Sequence, residues 1–419
     1  MVNVKQGVFY RKKGVDLMFK KVNSFAVLGA GNGGQAMAAY LALQGYEVNL
    51  YNRSELRIKA VKKAGGINLN GVFSGFGKLA KVTNDIKEAI ENVEIIMVVT
   101  PAVAHKYLAR ITSPYLKDGQ IIVLNPGRTG GALEFKNTLE SNNCLADIII
   151  SEAQTFLYAS RVIGPAQARI FGVKNKVALA AFPSIKTRQV IDKLVPVFPQ
   201  FYPVENVLKT SLDNIGAIFH PAPTLLNMAW IETTEGSFNY YQDGISPSIA
   251  RVLERLDDER LEVAEALGVE SCSAKDWLRM SYGAKGRNLY ELLQNNEQYH
   301  GLSAPADLKT RYIFEDVPMS LVPIASIGEM LSIETPTINM IIDMANIVHD
   351  LDYRQIGRSA ISLGLEGLTV TNILNLVNKG YIVNKRVLND EDRPLFARLD
   401  GMIMENLNDT FAEEGGFET

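Results

Sequence analysis

The six residues Gly29-Ala30-Gly31-Asn32-Gly33-Gly34 constrain this chain more than any other segment. They follow the apolar run Val22 to Leu28, which reads as a short buried strand, and they open a stretch of small and apolar residues from Gly34 to Gln44 that reads as a helix. Gly45 stands where a left-handed helix cap is usual, and Tyr46 to Tyr51 reads as a second strand. A glycine loop set between strand and helix, with a second strand following, is the arrangement that cradles a dinucleotide. Gly29 permits the tight turn, Gly31 lets the backbone approach a pyrophosphate, and Gly34 lets the helix pack against the sheet. The free N–H groups of Asn32, Gly33 and Gly34 then face the phosphate charge.

Further strands follow the same logic. Ile95 to Val99 and Ile121 to Leu124 are near-continuous apolar runs, as expected of parallel strands covered on both faces. Asp147 to Ile150 and Lys176 to Ala180 read as two more of the same sheet. The first two end in Thr100-Pro101 and Asn125-Pro126-Gly127, at the carboxyl edge where open α/β sheets bind ligands. Past residue 205 helical periodicity replaces strands, most plainly from Pro247 to Leu267, from Ile338 to Val348 and from Leu368 to Val377. The fold class is therefore α/β: a Rossmann-type parallel-sheet domain over 22–205, then a mainly α-helical substrate domain over 206–400. Residues 1–21 read as an N-terminal extension, either outside the fold or packed on it as a short arm. Residues 401–419 read as an acidic tail.

Composition excludes several classes. Net charge is −3, so no broad basic field points to nucleic acid. No run reaches the roughly 18 apolar residues of a membrane span, and the basic N-terminus lacks the apolar core of a secretory signal. Cys144 and Cys272 are far apart, which suits a reducing cytoplasm, and no His, Cys and carboxylate cluster has metal-ligand spacing. The Asp257-Asp258-Glu259-Arg260 run reads as a solvated helix face with local ion pairs.

The second strand ends in Tyr51-Asn52-Arg53-Ser54, where an NAD site usually carries an acid for the ribose 2′-hydroxyl. Arg53 suits a 2′-phosphate instead, with Asn52 and Ser54 beside it, so NADP is the expected cofactor and NAD the alternative. Thr100, Pro101 and His105 follow a strand end near the expected nicotinamide position. His105 reads equally well as a cofactor contact or as a surface histidine.

Several segments together resemble the opine dehydrogenase family, of octopine and nopaline type. They are Gly29 to Ala36, Asn125-Pro126-Gly127 with Gly130 to Phe135, Glu152 to Arg161, Phe219-His220-Pro221 with Leu225-Leu226-Asn227, and Arg311 to Pro318. The resemblance implies NAD(P)H-dependent reduction of the imine formed between a 2-oxo acid and an amino acid, in a cleft between the two domains. It implies that His220 and Asp316 are a catalytic pair and that Arg311 anchors substrate. The chemistry agrees: histidine moves protons near neutral pH, a carboxylate fixes its tautomer, and arginine grips carboxylates with two bonds. Glu152 and Thr155 are candidates to line the substrate side. The expected partners are thus small molecules, with neither nucleic acid nor membrane, and a homodimer is compatible with this reading. Two rival readings stay open: another two-domain dehydrogenase acting on a single 2-oxo or 2-hydroxy acid or a polyol phosphate, and a dinucleotide sensor without chemistry.

Overall fold

The computed structural model describes residues 22–382. The expected N-terminal extension, the end of the expected helical domain and the acidic tail lie outside the described residues. Eight strands form the main sheet, in the order Phe201–Pro203, Val177–Phe182, Ile149–Ala153, Ile121–Leu124, Ile95–Val98, Ser24–Leu28, Glu47–Tyr51 and Lys81–Thr83. From Ile149–Ala153 to Lys81–Thr83 every neighbouring pair is parallel. Ser24–Leu28 lies in the interior of the sheet, with Val27 opposite Leu50 on one side and opposite Met97 on the other. The chain winds outward from it in both directions, so the glycine loop emerges at a topological switch point.

One expected strand runs the other way. Val177–Phe182 pairs antiparallel with Ile149–Ala153. The connection between them contains no crossover helix. It is the antiparallel hairpin Tyr158–Gly164 and Gln167–Val173, which returns the chain to the edge it left.

That hairpin joins Gly66–Gly71 and Gly75–Lys78 in a second, four-stranded sheet that sequence reading does not foresee. Its strands are glycine-bearing and half exposed, so they lack the apolar runs of the main sheet. The sheet lies against helix Asn32–Leu43, which the main sheet covers from the other side. Burial on both sides explains why Gly34 to Leu41 are all buried and half of them are Gly or Ala.

Beyond Pro203 the described chain is helical apart from one isolated bridge between Asn239 and Ser303. Helix Pro247–Ala266 starts at Ser246, whose hydroxyl accepts the N–H of Ile249, and Gly268 follows it at φ +70°. The acidic run on this helix is not a solvated face. Asp257, Glu259 and Arg260 are all buried. Arg260 pairs with Asp257 and donates to the carbonyls of Leu212 and Cys272. Glu259 accepts the N–H groups of Thr337 and Ile338, capping helix Pro336–His349 from outside. Charge at helical spacing predicted exposure, but neighbouring backbone groups needed these side chains inside.

Candidate active site

The glycine loop leaves an anion site open. Helix Asn32–Leu43 has no side-chain cap and no acid in its first turn. Its leading N–H groups therefore stay available to a phosphate. Gly29 has φ +114°, and a Cβ on Gly34 would lie 1.8 Å from the Gly29 carbonyl oxygen, so the turn admits no side chain there. A Cβ on Gly31 would meet nothing within 4 Å, which leaves a cradle of the right kind for a pyrophosphate. Around it, Asn52 accepts the N–H of Ala30 and donates to the Ser54 carbonyl, bracing the loop from the second strand. Asn32 spends its side-chain oxygen on the N–H of Val162. Both asparagines thus shape the loop through bonds within the protein. Arg53 and Ser54 are exposed beyond the strand end, with the Arg53 guanidinium 5.6 Å from the Tyr107 ring centre. The residues present fit a dinucleotide.

The segment after strand Ile95–Val98 ties this loop to a second cluster. A Cβ on Gly29 would strike Val99 and Thr100, so the loop packs directly on them. The Thr100 hydroxyl is buried without a hydrogen-bond partner. Two residues on, the N–H of Ala102 donates to Glu315 at 2.8 Å.

Glu315 and Asp316 begin a compact charged group at the sheet's carboxyl edge. His220 stands between the short helices Gly216–Phe219 and Pro221–Leu226, with Pro221 suited to a first helical turn. Its Nδ1 lies 2.8 Å from Oδ2 of Asp316. Its ring stacks on Tyr312, with centres 4.3 Å apart and planes 11° apart. Hydroxyls of Thr224 and Tyr240 donate to its carbonyl. With Nδ1 taken, Nε2 is the nitrogen left for a substrate proton.

Arg128 completes the group, and sequence reading passed over it. It contacts Asp316 at 3.0 Å and Glu315 at 3.5 Å. Arg311 also holds Glu315 through its guanidinium, at the same carboxylate oxygen that Arg128 approaches. Burial alone would raise the Glu315 pKa, but Arg311 and Arg128 hold it well below the usual carboxylate range. Two guanidinium groups and two carboxylates thus cancel. Arg128 lies at φ +57°, directly after Asn125-Pro126-Gly127, and its position at a strand's carboxyl end was the signal available. Arg311 is 45% exposed, so part of its fork remains accessible.

Two expected contacts are placed differently, and a third has a charged neighbour. Glu152 is fully buried, and its two oxygens accept from the N–H of Ala132 and the hydroxyls of Thr210 and Ser211. It has no surface left for substrate and instead braces the loop from Gly127 to Ala132. Burial raises its pKa, opposed by those hydrogen bonds. His105 is also fully buried, with Nδ1 accepting from Arg358 at 3.1 Å. It is not a surface residue; burial, then the Arg358 charge, pushes its pKa down to about 3. Thr155 accepts from the Lys174 ammonium at 3.0 Å, so a cation stands beside it.

Arg358 had no sequence signal at all. It is fully buried, pairs with Glu134 at 2.8 Å and donates to the carbonyls of Gly127 and Thr129 at 2.9 Å. Thus a residue from the helical half clamps the turn that carries Arg128.

Comparison with known proteins agrees with the two-domain fold. Residues 203–349 match a family model described as NAD/NADP octopine/nopaline dehydrogenase, alpha-helical domain, and residues 25–156 match Ketopantoate reductase PanE/ApbA. The chain is 39% identical over 355 residues to a protein named Opine dehydrogenase from Arthrobacter sp. (strain 1C), covering 84% of this chain and 98% of that one. It is 27% identical to Protein ocs of Agrobacterium tumefaciens (strain Ach5), covering 84% and 98%. Among solved structures, octopine dehydrogenase with NADH and L-arginine aligns at TM-score 0.71 and 20% identity, covering 87% and 100%. Yersinopine dehydrogenase with NADP+ bound aligns at TM-score 0.66 and 16% identity, covering 85% and 98%.

Proposed function

The chain belongs to the opine dehydrogenase family, NAD(P)-dependent oxidoreductases acting on CH–NH donors, and from that premise we propose how its own residues carry the reaction. The substrates are a 2-oxo acid and an amino acid, whose amine adds to the carbonyl and loses water to give an imine. Bound nicotinamide supplies the hydride that reduces it to a secondary-amine dicarboxylate.

The observation that carries the assignment of roles is the buried contact between His220 and Asp316. Asp316 holds Nδ1 of the ring, so Nε2 is the atom that takes a proton from the attacking amine and returns one to the departing hydroxyl. In the reverse direction Nε2 accepts the proton of the secondary amine. Stacking on Tyr312 fixes the plane of the ring while it does so. Arg128 holds the far oxygen of Asp316 and keeps that carboxylate from turning away. Arg311, half exposed beside this pair, offers the free part of its fork to a substrate carboxylate.

Gly29, Gly31, Gly33 and Gly34 shape the pyrophosphate site, with Thr100 and Pro101 toward the nicotinamide. Arg53 favours NADPH over NADH. The change from strands to helices after Pro203 supports a division between dinucleotide and substrate halves near residue 206. Cys144 and Cys272 are unpaired, which supports a cytoplasmic setting.

The match to ketopantoate reductase covers the dinucleotide half, which does not select the second substrate, and so does not favour a single-carbonyl reaction. The test is NAD(P)H oxidation with pyruvate or 2-oxoglutarate crossed with a panel of amino acids. Oxidation is expected only where both organic substrates are present. Equal oxidation with a 2-oxo acid alone would show a single-carbonyl dehydrogenase instead.

A further inference from the structure

Lys174 occupies the ground between the phosphate loop and the His220 cluster. It follows strand Gln167–Val173 and is partly buried. Its ammonium donates to Thr155 at 3.0 Å, and its N–H donates to the Leu157 carbonyl. Residues 153–156 run from one site to the other. At one end the Ala153 carbonyl accepts the N–H of Gly127, next to Arg128. At the other, the Phe156 ring lies against Gly33, where a Cβ would come within 2.8 Å of it. Thr155 therefore holds the ammonium beside the path from the pyrophosphate cradle to the proton-transfer pair.

Charge explains why a cation belongs there. The reaction gathers two carboxylates into one cleft, one on each organic substrate. The Arg128, Arg311, Glu315 and Asp316 group is neutral as a whole, so it offers geometry but little net attraction. Lys174 has no ion-pair partner among the described residues, and its ammonium donates to a neutral hydroxyl. Burial, then the Arg128 charge, lowers its pKa to about 8, so most of it is charged at neutral pH. The hydride-accepting carbon is that of the former 2-oxo acid, so its carboxylate, one bond away, stays close to the cofactor.

We propose that Lys174 binds the carboxylate of the 2-oxo acid, held in place by Thr155. Arg311 is then left to the amino-acid carboxylate. The assignment rests on the opine-type reading, and the variants Lys174→Met and Lys174→Arg separate the two. One removes the charge at similar length, and the other keeps it.

Two measurements on the cofactor-loaded enzyme decide it: the KM for each organic substrate, and the affinity for oxamate as a non-reacting 2-oxo-acid probe, by calorimetry. Lys174→Met should raise the 2-oxo-acid KM and weaken oxamate by roughly 10- to 100-fold. The amino-acid KM and NAD(P)H affinity should stay within about threefold, with Lys174→Arg close to wild type. Unchanged oxamate affinity overturns the proposal. So does a loss confined to NAD(P)H, which would assign the ammonium to a cofactor phosphate, or one confined to the amino acid. Wild-type protein that turns over no substrate pair, yet binds oxamate through Lys174, would sink the opine reading while supporting the lysine's role.

Discussion

Nδ1 of His220 and Oδ2 of Asp316 lie 2.8 Å apart, both buried, although 96 residues of chain separate them. The contact holds the imidazole in one tautomer and points Nε2 away from the carboxylate. His220→Ala is expected to lower kcat by roughly 10²–10⁴-fold with NAD(P)H affinity close to wild type. Asp316→Asn should also lower kcat, and the double variant should be little worse than the worse single one, since the pair works as a unit. Steady-state kinetics with a cofactor titration settles it. Near-normal turnover in His220→Ala would make the histidine structural.

Arg128 and Arg311 should separate by their effects. Arg128 is 14% exposed in its side chain and joins two buried carboxylates. Arg128→Met leaves buried Asp316 with only His220 and the Ser320 hydroxyl and no guanidinium, so it should cost roughly 3 kcal/mol of stability and most activity. Arg311→Lys keeps a charge near Glu315 and should preserve the fold, while loss of the fork raises an organic-substrate KM. Urea unfolding together with KM values tests both. An Arg128→Met protein as stable as wild type would remove the claim that this guanidinium holds the site together.

Arg53 sets the expected cofactor preference. It is exposed past the end of strand Glu47–Tyr51, where no acid awaits a ribose hydroxyl. A charge-assisted bond to a 2′-phosphate is worth about 1.5–3 kcal/mol, or roughly ten- to a hundredfold in affinity. Arg53→Ala should therefore weaken NADPH selectively and leave NADH nearly unchanged. Fluorescence titration of both cofactors measures this, and equal wild-type affinities would discard it.

His105 predicts an acid limit to stability. Its pKa in the fold is about 3, below the ordinary histidine value near 6.5, because burial and then Arg358 disfavour the charged ring. The unfolded chain therefore binds the extra proton between those values, and stability falls as pH drops from about 6.5 toward about 3. Above about 6.5 the contribution is fully present. His105→Gln keeps an acceptor near Arg358 but does not titrate, so its urea midpoint should fall less over that window. Parallel curves for the two proteins would show that His105 contributes nothing to the slope.

The sequence by itself determined the βαβ opening, the buried parallel strands and the change to helices after residue 205. These follow from local rules: glycines where a turn and a close approach require them, apolar runs where strands are covered on both faces, and helical periodicity with caps. It also singled out His220 and Asp316, though only through resemblance, since neither residue has a local pattern that marks it. The tertiary structure decided the rest. Only the folded chain shows Arg128 between Glu315 and Asp316, Arg358 under the loop from Gly127 to Thr129, and Glu152 consumed by its own neighbours. It also reversed Val177–Phe182 and buried Asp257, Glu259 and Arg260. Period and propensity report which face of an element is apolar; a buried charge depends on partners far along the chain, and no local pattern encodes them.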